Sequence, residues 1–230
     1  MSAASTFSGV HEQVQVDAAR VTLRGNLDVP PGGRGVILFA HGSGSGRHSP
    51  RNRFVARQLQ NAGLATLLVD LLTEKEESLD QYTGHLRFDI GLLPDRLVGA
   101  TDWLAESCHT SNLSVGYFGA STGGGAALVA ATLRPDRVSA VVSRGGRPDL
   151  AMDFLPKVQA ATLLIVGGDD DVVIELNEAA FRQLRVAEKQ LVIVPRASHL
   201  FEEPGKLEEV ARLAADWFNH HLDVGHSGPE

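Results

Sequence analysis

Apolar residues along this chain fall into two alternating patterns. Gly35 to Ala40, Leu113 to Phe118, Val138 to Ser143 and Thr162 to Val166 are short aliphatic and β-branched runs, and each stops at a group of glycines. Runs of this kind read as strands buried on both faces. Between them lie stretches with apolar residues three and four apart: Arg53 to Ala62, Leu92 to Ala105, the Ala-rich Thr122 to Leu133, Ile174 to Leu184 and Lys206 to Leu222. Leu64 to Asp70 and Gln190 to Val194 add two more strands. Strands alternating with helices predict a parallel sheet covered by helices on both faces. The beginning differs, because Val10 to Val16 and Val21 to Asp28 alternate in the manner of a half-exposed hairpin turning at Asp17 to Arg20. The expected architecture is an α/β fold with a mostly parallel sheet of about eight strands, an antiparallel N-terminal hairpin and no large cap domain. Residues 1–222 are expected to form one domain, and 223–230, where the apolar periodicity is lost, a disordered tail. Glu74 to Glu77 reads as a solvated charged stretch in a loop or surface helix.

Composition narrows the function classes. Lys and Arg total 21 against 28 Asp and Glu, a net charge of −7 that argues against binding nucleic acid through phosphate neutralisation. Cys108 is the single cysteine, which excludes a disulfide within the chain and fits a reducing compartment. Met1 to Val10 has neither the basic start nor the apolar stretch of an export signal. The longest uncharged apolar run, Leu113 to Leu133, is interrupted by glycines, serines and threonines and makes a poor membrane span. The expectation is a cytoplasmic protein without membrane partners. Glycine is the outlier: 24 in 230 residues is about a tenth, against roughly 7% in average usage. The excess collects where the predicted strands end.

One of those strand ends carries a catalytic pattern. Gly119-Ala120-Ser121-Thr122-Gly123 is a G-x-S-x-G segment between a predicted strand and a predicted helix, the context that the pattern requires. A serine at the apex of such a turn sits in strained backbone, and glycines two positions to either side remove the clash. The Thr122 N–H then lies at a helix N-terminus, where developing negative charge is favoured. A second oxyanion donor is expected from the loop His41-Gly42-Ser43-Gly44-Ser45-Gly46, at the Ser43 N–H. His41 reads as a structural hydrogen-bonding residue.

A serine nucleophile needs a base, and the base needs an orienting carboxylate. His199 stands in a loop after the last strand, ahead of the last helix. Asp169, Asp170 and Asp171 follow the strand before it, so the chain order is Ser, acid, His. Adjacent carboxylates repel, so one is expected to orient the imidazole while the others face water or cap the helix beginning near Val173. Spacing alone does not choose among them. Two arginine-bearing loops adjoin the expected mouth, 47–53 with Arg51 and 143–149 with Arg147, and either is a candidate clamp for an anionic substrate group.

These segments together resemble the α/β-hydrolases of the dienelactone-hydrolase-like group, over nearly the whole length from the His41-Gly42 loop to the last helix. In that group a G-x-D-x-x-V segment carries the acid, and Gly168-Asp169-Asp170-Asp171-Val172-Val173 matches it best with Asp170. The resemblance implies a triad of Ser121, Asp170 and His199. It also implies an oxyanion site at Ser43 and Thr122 and hydrolysis of a small-molecule ester through an acyl-enzyme, with no metal or organic cofactor. Dienelactone hydrolases proper use cysteine where this chain has Ser121, which points towards serine esterase chemistry. The same triad serves thioesterases, lactonases and acyltransferases, and a silent hydrolase-fold binding module is the reading outside enzymology. A segment of only 18 residues, 144–161, in place of a cap predicts short acyl substrates. Dinucleotide binding fits poorly, because Arg47 stands where Gly42-x-Gly44 needs a third glycine and Ser121 replaces the middle glycine of the Gly119 cluster. A Walker loop has no match. The natural substrate and oligomeric state are not encoded in any of these patterns.

Overall fold

The structure, a computed structural model, describes residues 9–222, so the expected tail at 223–230 lies outside the described residues. Eight strands form one sheet in the order β1-β2-β4-β3-β5-β6-β7-β8. They are β1 Val10–Ala18, β2 Val21–Val29, β3 Gly35–Ala40, β4 Ala65–Val69, β5 Ser114–Ala120, β6 Val138–Arg144, β7 Ala161–Gly167 and β8 Lys189–Val194. From β4 to β8 all pairings are parallel, whereas β1 with β2 and β2 with β4 are antiparallel. The hairpin turns more tightly than Asp17 to Arg20 would imply. Ala19 and Arg20, at φ 46° and 67°, form a two-residue turn that matches the strand twist, although neither is a residue that favours left-handed backbone.

Helices cover both faces: α1 Pro50–Asn61, α2 Glu74–Thr83, α3 Leu92–Glu106, α4 Thr122–Leu133, α5 Asp171–Gln183 and α6 Lys206–Leu222. One apolar layer joins Leu38, Leu67 and Tyr117 to α3, α4 and α5, and the other joins Ile37, Phe39 and Phe118 to α1 and α6. Period-two alternation along the strands sends neighbouring residues to opposite layers. Burial of each leucine or phenylalanine contributes about 1.5–3 kcal/mol, so the sheet is a rigid base for whatever its loops carry. The buried Tyr117 hydroxyl is satisfied by Thr101 Oγ1 at 2.6 Å.

Two helices begin earlier than apolar spacing predicts. Ser49 caps α1 by accepting the Asn52 N–H at 3.4 Å, with Pro50 in the first turn, so the helix starts three residues before Arg53. Similarly, α5 starts at Asp171 rather than near Ile174.

The charged stretch at Glu74 starts a surface helix with Glu74, Lys75 and Glu77 exposed, as expected, and Glu76 alone departs from that reading. Thr73 and Glu76 make a capping box that starts α2, and Glu76 Oε1 lies 2.6 Å from Arg96 Nη2, whose residue is 2% exposed. Glu76 therefore anchors α2 to α3 and is not simply solvated. After β6, residues 145–160 hold two 3-10 turns, Pro148–Ala151 and Leu155–Lys157.

Strand order reverses at β3, with β4 on one side and β5 on the other. Connections leaving the C-terminal ends of β3 and β5 diverge there, and such a switch point opens a crevice in an α/β sheet. The His41–Gly46 loop and the Ser121 turn are the two sides of that crevice.

Candidate active site

Ser121 follows β5 directly and occupies the N-cap of α4 with φ 51° and ψ −122°, a conformation that L-residues avoid at a cost of about 1–3 kcal/mol. Its backbone is held from three directions. The Ser121 N–H donates to Arg144 O at 3.2 Å, while Ser121 O accepts the Gly124 N–H at 2.9 Å and the Arg147 N–H at 2.9 Å. Both flanking glycines are sterically required. A Cβ on Gly119 would stand 2.5 Å from Gly124 Cα, and one on Gly123 would stand 2.1 Å from Ala40 O.

The β3 loop lies directly against this turn. A Cβ on Gly42 would meet Ser121 Cβ at 3.1 Å, and Ser43 Oγ lies 3.2 Å from Thr122 Oγ1. The structure thus brings Ser43 and Thr122 together. Neither residue's N–H donates to a protein acceptor among the described residues. The Thr122 amide is one of the first-turn donors that a helix leaves open.

The loop itself is stapled to the end of β4. Asp70 Oδ1 accepts the Arg47 N–H at 2.7 Å, and Asp70 Oδ2 pairs with the Arg47 guanidinium. His41 Nε2 accepts the Leu71 N–H at 2.9 Å, which fixes the tautomer so that Nδ1–H donates to Gly42 O at 3.0 Å. Burial is the largest influence on the His41 imidazole and moves its pKa below the usual value. His41 is a hydrogen-bonding pin, as the sequence implied. Beside the loop is a cavity of about 200 Å³ whose lining includes Ser43, Asp70, Leu72, Glu77 and Arg87. Its outer wall comes from α2, which the charge pattern at Glu74 did not reveal.

Asp170 and His199 meet across the ends of β7 and β8. His199 Nδ1 is 2.6 Å from Asp170 Oδ2, with the Asp170 side chain 17% and the His199 side chain 37% exposed. Asp169 and Asp171 face solvent. Asp170 occupies the N-cap position of α5 but makes no side-chain cap bond, and the other two aspartates take the water-facing one of the two expected alternatives. Backbone approach keeps the two loops in register. The Asp169 N–H donates to Ala197 O at 3.0 Å, and a Cβ on Gly167 would stand 2.4 Å from that same oxygen. On the other side Gly145, at φ 50°, faces the His199 ring with its Cβ position 3.4 Å from Nδ1.

The arginines are arranged differently from the sequence expectation. Arg147 forms a fork on Asp149, Nε to Oδ1 at 2.8 Å and Nη2 to Oδ2 at 2.7 Å, and this pairing raises its pKa. Arg51 Nη1 lies 2.8 Å from Glu202 Oε1. Arg144, within the 143–149 segment but not singled out by the sequence, is the last residue of β6 and is 6% exposed with Nε and Nη1 unpartnered. Burial, and secondarily the charge of Arg51, bring its pKa down to about 10. A cation at the end of an otherwise apolar buried run was the available signal.

Among the described residues no cluster of three or more His, Cys, Asp or Glu side chains is arranged to hold a metal ion. No helix among them is long and apolar enough to cross a membrane.

Comparison with known proteins agrees with this geometry. The chain is 64% identical to a dienelactone hydrolase from Anabaena variabilis whose crystal structure superposes with a TM-score of 0.91, covering 93% of this chain and 99% of that one. Est1E from Butyrivibrio proteoclasticus shares the fold at 17% identity and TM-score 0.75, over 93% of this chain and 98% of its own. A Mycobacterium tuberculosis (strain H37Rv) protein named "Putative phosphoribosyl transferase" is 58% identical over 211 residues. That match takes in 92% of this chain but 46% of the relative, so the chain spans about half the length of the curated relatives it matches. The dienelactone hydrolase family matches residues 25–224, which include the elbow serine, the aspartate loop and the histidine loop, and this chain belongs to that family.

Proposed function

We propose that the chain is a serine hydrolase that cleaves small carboxylic esters through an acyl-enzyme. The observation that carries this reading is the Asp170–His199 hydrogen bond of 2.6 Å, with Gly145, next to the Arg144 carbonyl that accepts the Ser121 N–H, lying against the His199 ring. In this reading Ser121 Oγ attacks the ester carbonyl while His199 Nε2 takes its proton. Asp170 holds the Nδ1–H tautomer and stabilises the imidazolium. The Ser43 and Thr122 N–H groups receive the oxyanion, and His199 then protonates the leaving alkoxide. Water resolves the acyl-enzyme by the same route, so these residues complete the cycle without a metal or organic cofactor.

The 200 Å³ cavity beside Ser43 is smaller than the usual range for drug-sized ligands of about 300–1,000 Å³ and supports a short acyl group. Thioesters and lactones would use the same groups, and a panel of activated esters, thioesters and lactones ranks them. The phosphoribosyl transferase name belongs to relatives about twice as long, and nothing in the Ser121 site calls for that chemistry. The exposed, unpaired Cys108 supports a cytoplasmic location. A fluorophosphonate probe tests the central claim. Wild type is expected to be labelled at Ser121 and Ser121→Ala to remain unlabelled, whereas a wild type that resists the probe would favour a silent binding module.

A further inference from the structure

The buried residues of α5 are Val173, Asn177 and Ala180, and Asn177 is the polar one among them. It has no solvent exposure, and its Oδ1 has no hydrogen-bond partner among the described residues. Asparagine is a weak helix former, and burying an amide with its oxygen unpaired opposes folding. An apolar residue would serve the packing of this helix better.

The other end of the amide locates a role. Asn177 Nδ2 donates at 2.8 Å to Val173 O, one turn back in its own helix, and at 3.0 Å to Gly146 O outside it. Among the described residues no other side chain bonds to the backbone of 145–147. That short strap touches each part of the proposed triad. The Arg147 N–H donates to Ser121 O at 2.9 Å, and the Cβ position of Gly145 lies 3.1 Å from His199 O and 3.4 Å from His199 Cε1. Asp170, the N-cap of α5, stands seven residues before Asn177, two turns away along the same helix face. The strap is also closely packed. A Cβ on Gly146 would stand 1.8 Å from Ser143 Oγ, and one on Gly125, in the first turn of α4, would stand 2.6 Å from Arg147 O. Close packing transmits a shift of the strap to the Ser121 turn and the His199 ring instead of absorbing it.

We propose that Asn177 is a positioning residue for the reaction: its bond to Gly146 O ties the helix that presents the acid to the strap that carries the nucleophile turn and faces the base. The proposal rests on the serine hydrolase reading above and adds to it a residue that touches none of the reacting groups.

Steady-state kinetics on p-nitrophenyl acetate, run well below the melting temperature of each protein, tests this with Asn177→Leu and Asn177→Ser. Leucine keeps the volume and removes the amide, whereas a serine hydroxyl bonds back to Val173 O and is too short to reach Gly146. Both variants are expected to lose about 10–100-fold in kcat with KM within about twofold of wild type, because small misplacements of reacting groups cost rate and leave the substrate cavity alone. Thr110→Val is the control for general destabilisation. Thr110 is buried beyond the far end of β5 and donates to Leu104 O at 2.7 Å, so its loss should lower the melting temperature and leave kcat close to wild type. Asn177 variants that melt earlier but keep wild-type kcat would show a structural role only and overturn the proposal, as would a Thr110→Val that loses as much kcat as they do. Should Asn177→Leu not fold, Asn177→Ser carries the test by the same criteria. Fluorophosphonate labelling of wild-type Ser121 reports separately on the hydrolase reading. A wild type that is neither labelled nor active removes that reading and this inference with it, whereas a labelled, active wild type with unaltered Asn177 variants removes this inference alone.

Discussion

His199 Nδ1 lies 2.6 Å from Asp170 Oδ2, and Asp170 is the residue at the N-cap of α5. Its carboxylate turns away from the first turn of its own helix to reach the imidazole, forgoing a cap worth about 1 kcal/mol. Asp170→Asn is accordingly expected to lower kcat on an activated acetyl ester by about 10³–10⁴-fold, because the amide no longer selects the Nδ1–H tautomer. Asp169→Asn and Asp171→Asn should stay close to wild type, since both carboxylates face water. Steady-state kinetics of the three variants decides whether one aspartate or the whole run is in use.

Strain at Ser121 predicts opposite signs for activity and stability. Glycine accepts the φ of 51° without cost, so Ser121→Gly should raise stability by about 1 kcal/mol while abolishing esterase activity and probe labelling. Urea midpoints measure the gain. A destabilised Ser121→Gly would show that the turn is not strained in solution.

Gly123 and Gly44 separate two reasons for glycine. Gly123→Ala places a methyl group 2.1 Å from Ala40 O, a clash that only separation of α4 from β3 relieves, and should cost about 3 kcal/mol or more. Gly44 has φ 67° with nothing within 4 Å of its Cβ position, so Gly44→Ala should cost about 1–2 kcal/mol through conformation alone. Denaturant melts of the pair check both the order and the gap.

The lowered pKa of His41 has a definite sign in stability. Above the usual histidine value, folded and unfolded chains are both neutral at this position and the group contributes no slope. As pH falls below about 6.5 the unfolded chain takes up the proton first, so stability decreases until the folded imidazole also titrates. Protonation would turn Nε2–H against the Leu71 N–H and loosen the staple on the oxyanion loop. Urea midpoints between pH 7 and pH 5 should therefore fall more steeply in wild type than in His41→Gln.

Substrate length gives the last expectation. With a cavity of about 200 Å³ beside Ser43 and two 3-10 turns after β6, kcat/KM on a p-nitrophenyl ester series should peak at short acyl chains. A preference beyond about eight carbons would contradict the reading of the cavity as the acyl site.

The framework of this site was legible in the sequence because its physics is local. Four apolar runs ending in glycine mark the adjacent parallel strands β3, β5, β6 and β7, and G-x-S-x-G between strand and helix marks the elbow. Choosing among Asp169, Asp170 and Asp171 was not local. It depends on how β7 pairs with β8 and on the approach of Gly167 to Ala197, which no spacing along the chain reports. The α2 wall escaped apolar patterning because Leu79 and Tyr82 are exposed, leaving the Thr73–Glu76 capping box as its only mark. Arg144 lies inside the arginine-bearing 143–149 segment, but spacing along the chain does not tell a buried strand-end cation from a loop one.

The connection from β6 to β7 is held at two places. Asn177 Nδ2 donates to Gly146 O at 3.0 Å and the Arg147 N–H donates to Ser121 O at 2.9 Å, while Ala151 and Leu155 are fully buried further along. Between the buried pair only Asp153 faces solvent outright. Extra residues entering at that position would start and finish on anchored backbone, and each doubling of the loop would add only about 0.6 kcal/mol of closure entropy. The fold can thus acquire a roof of any size at Asp153 while the nucleophile turn keeps its bonds, which makes substrate range an evolvable property separable from the catalytic frame.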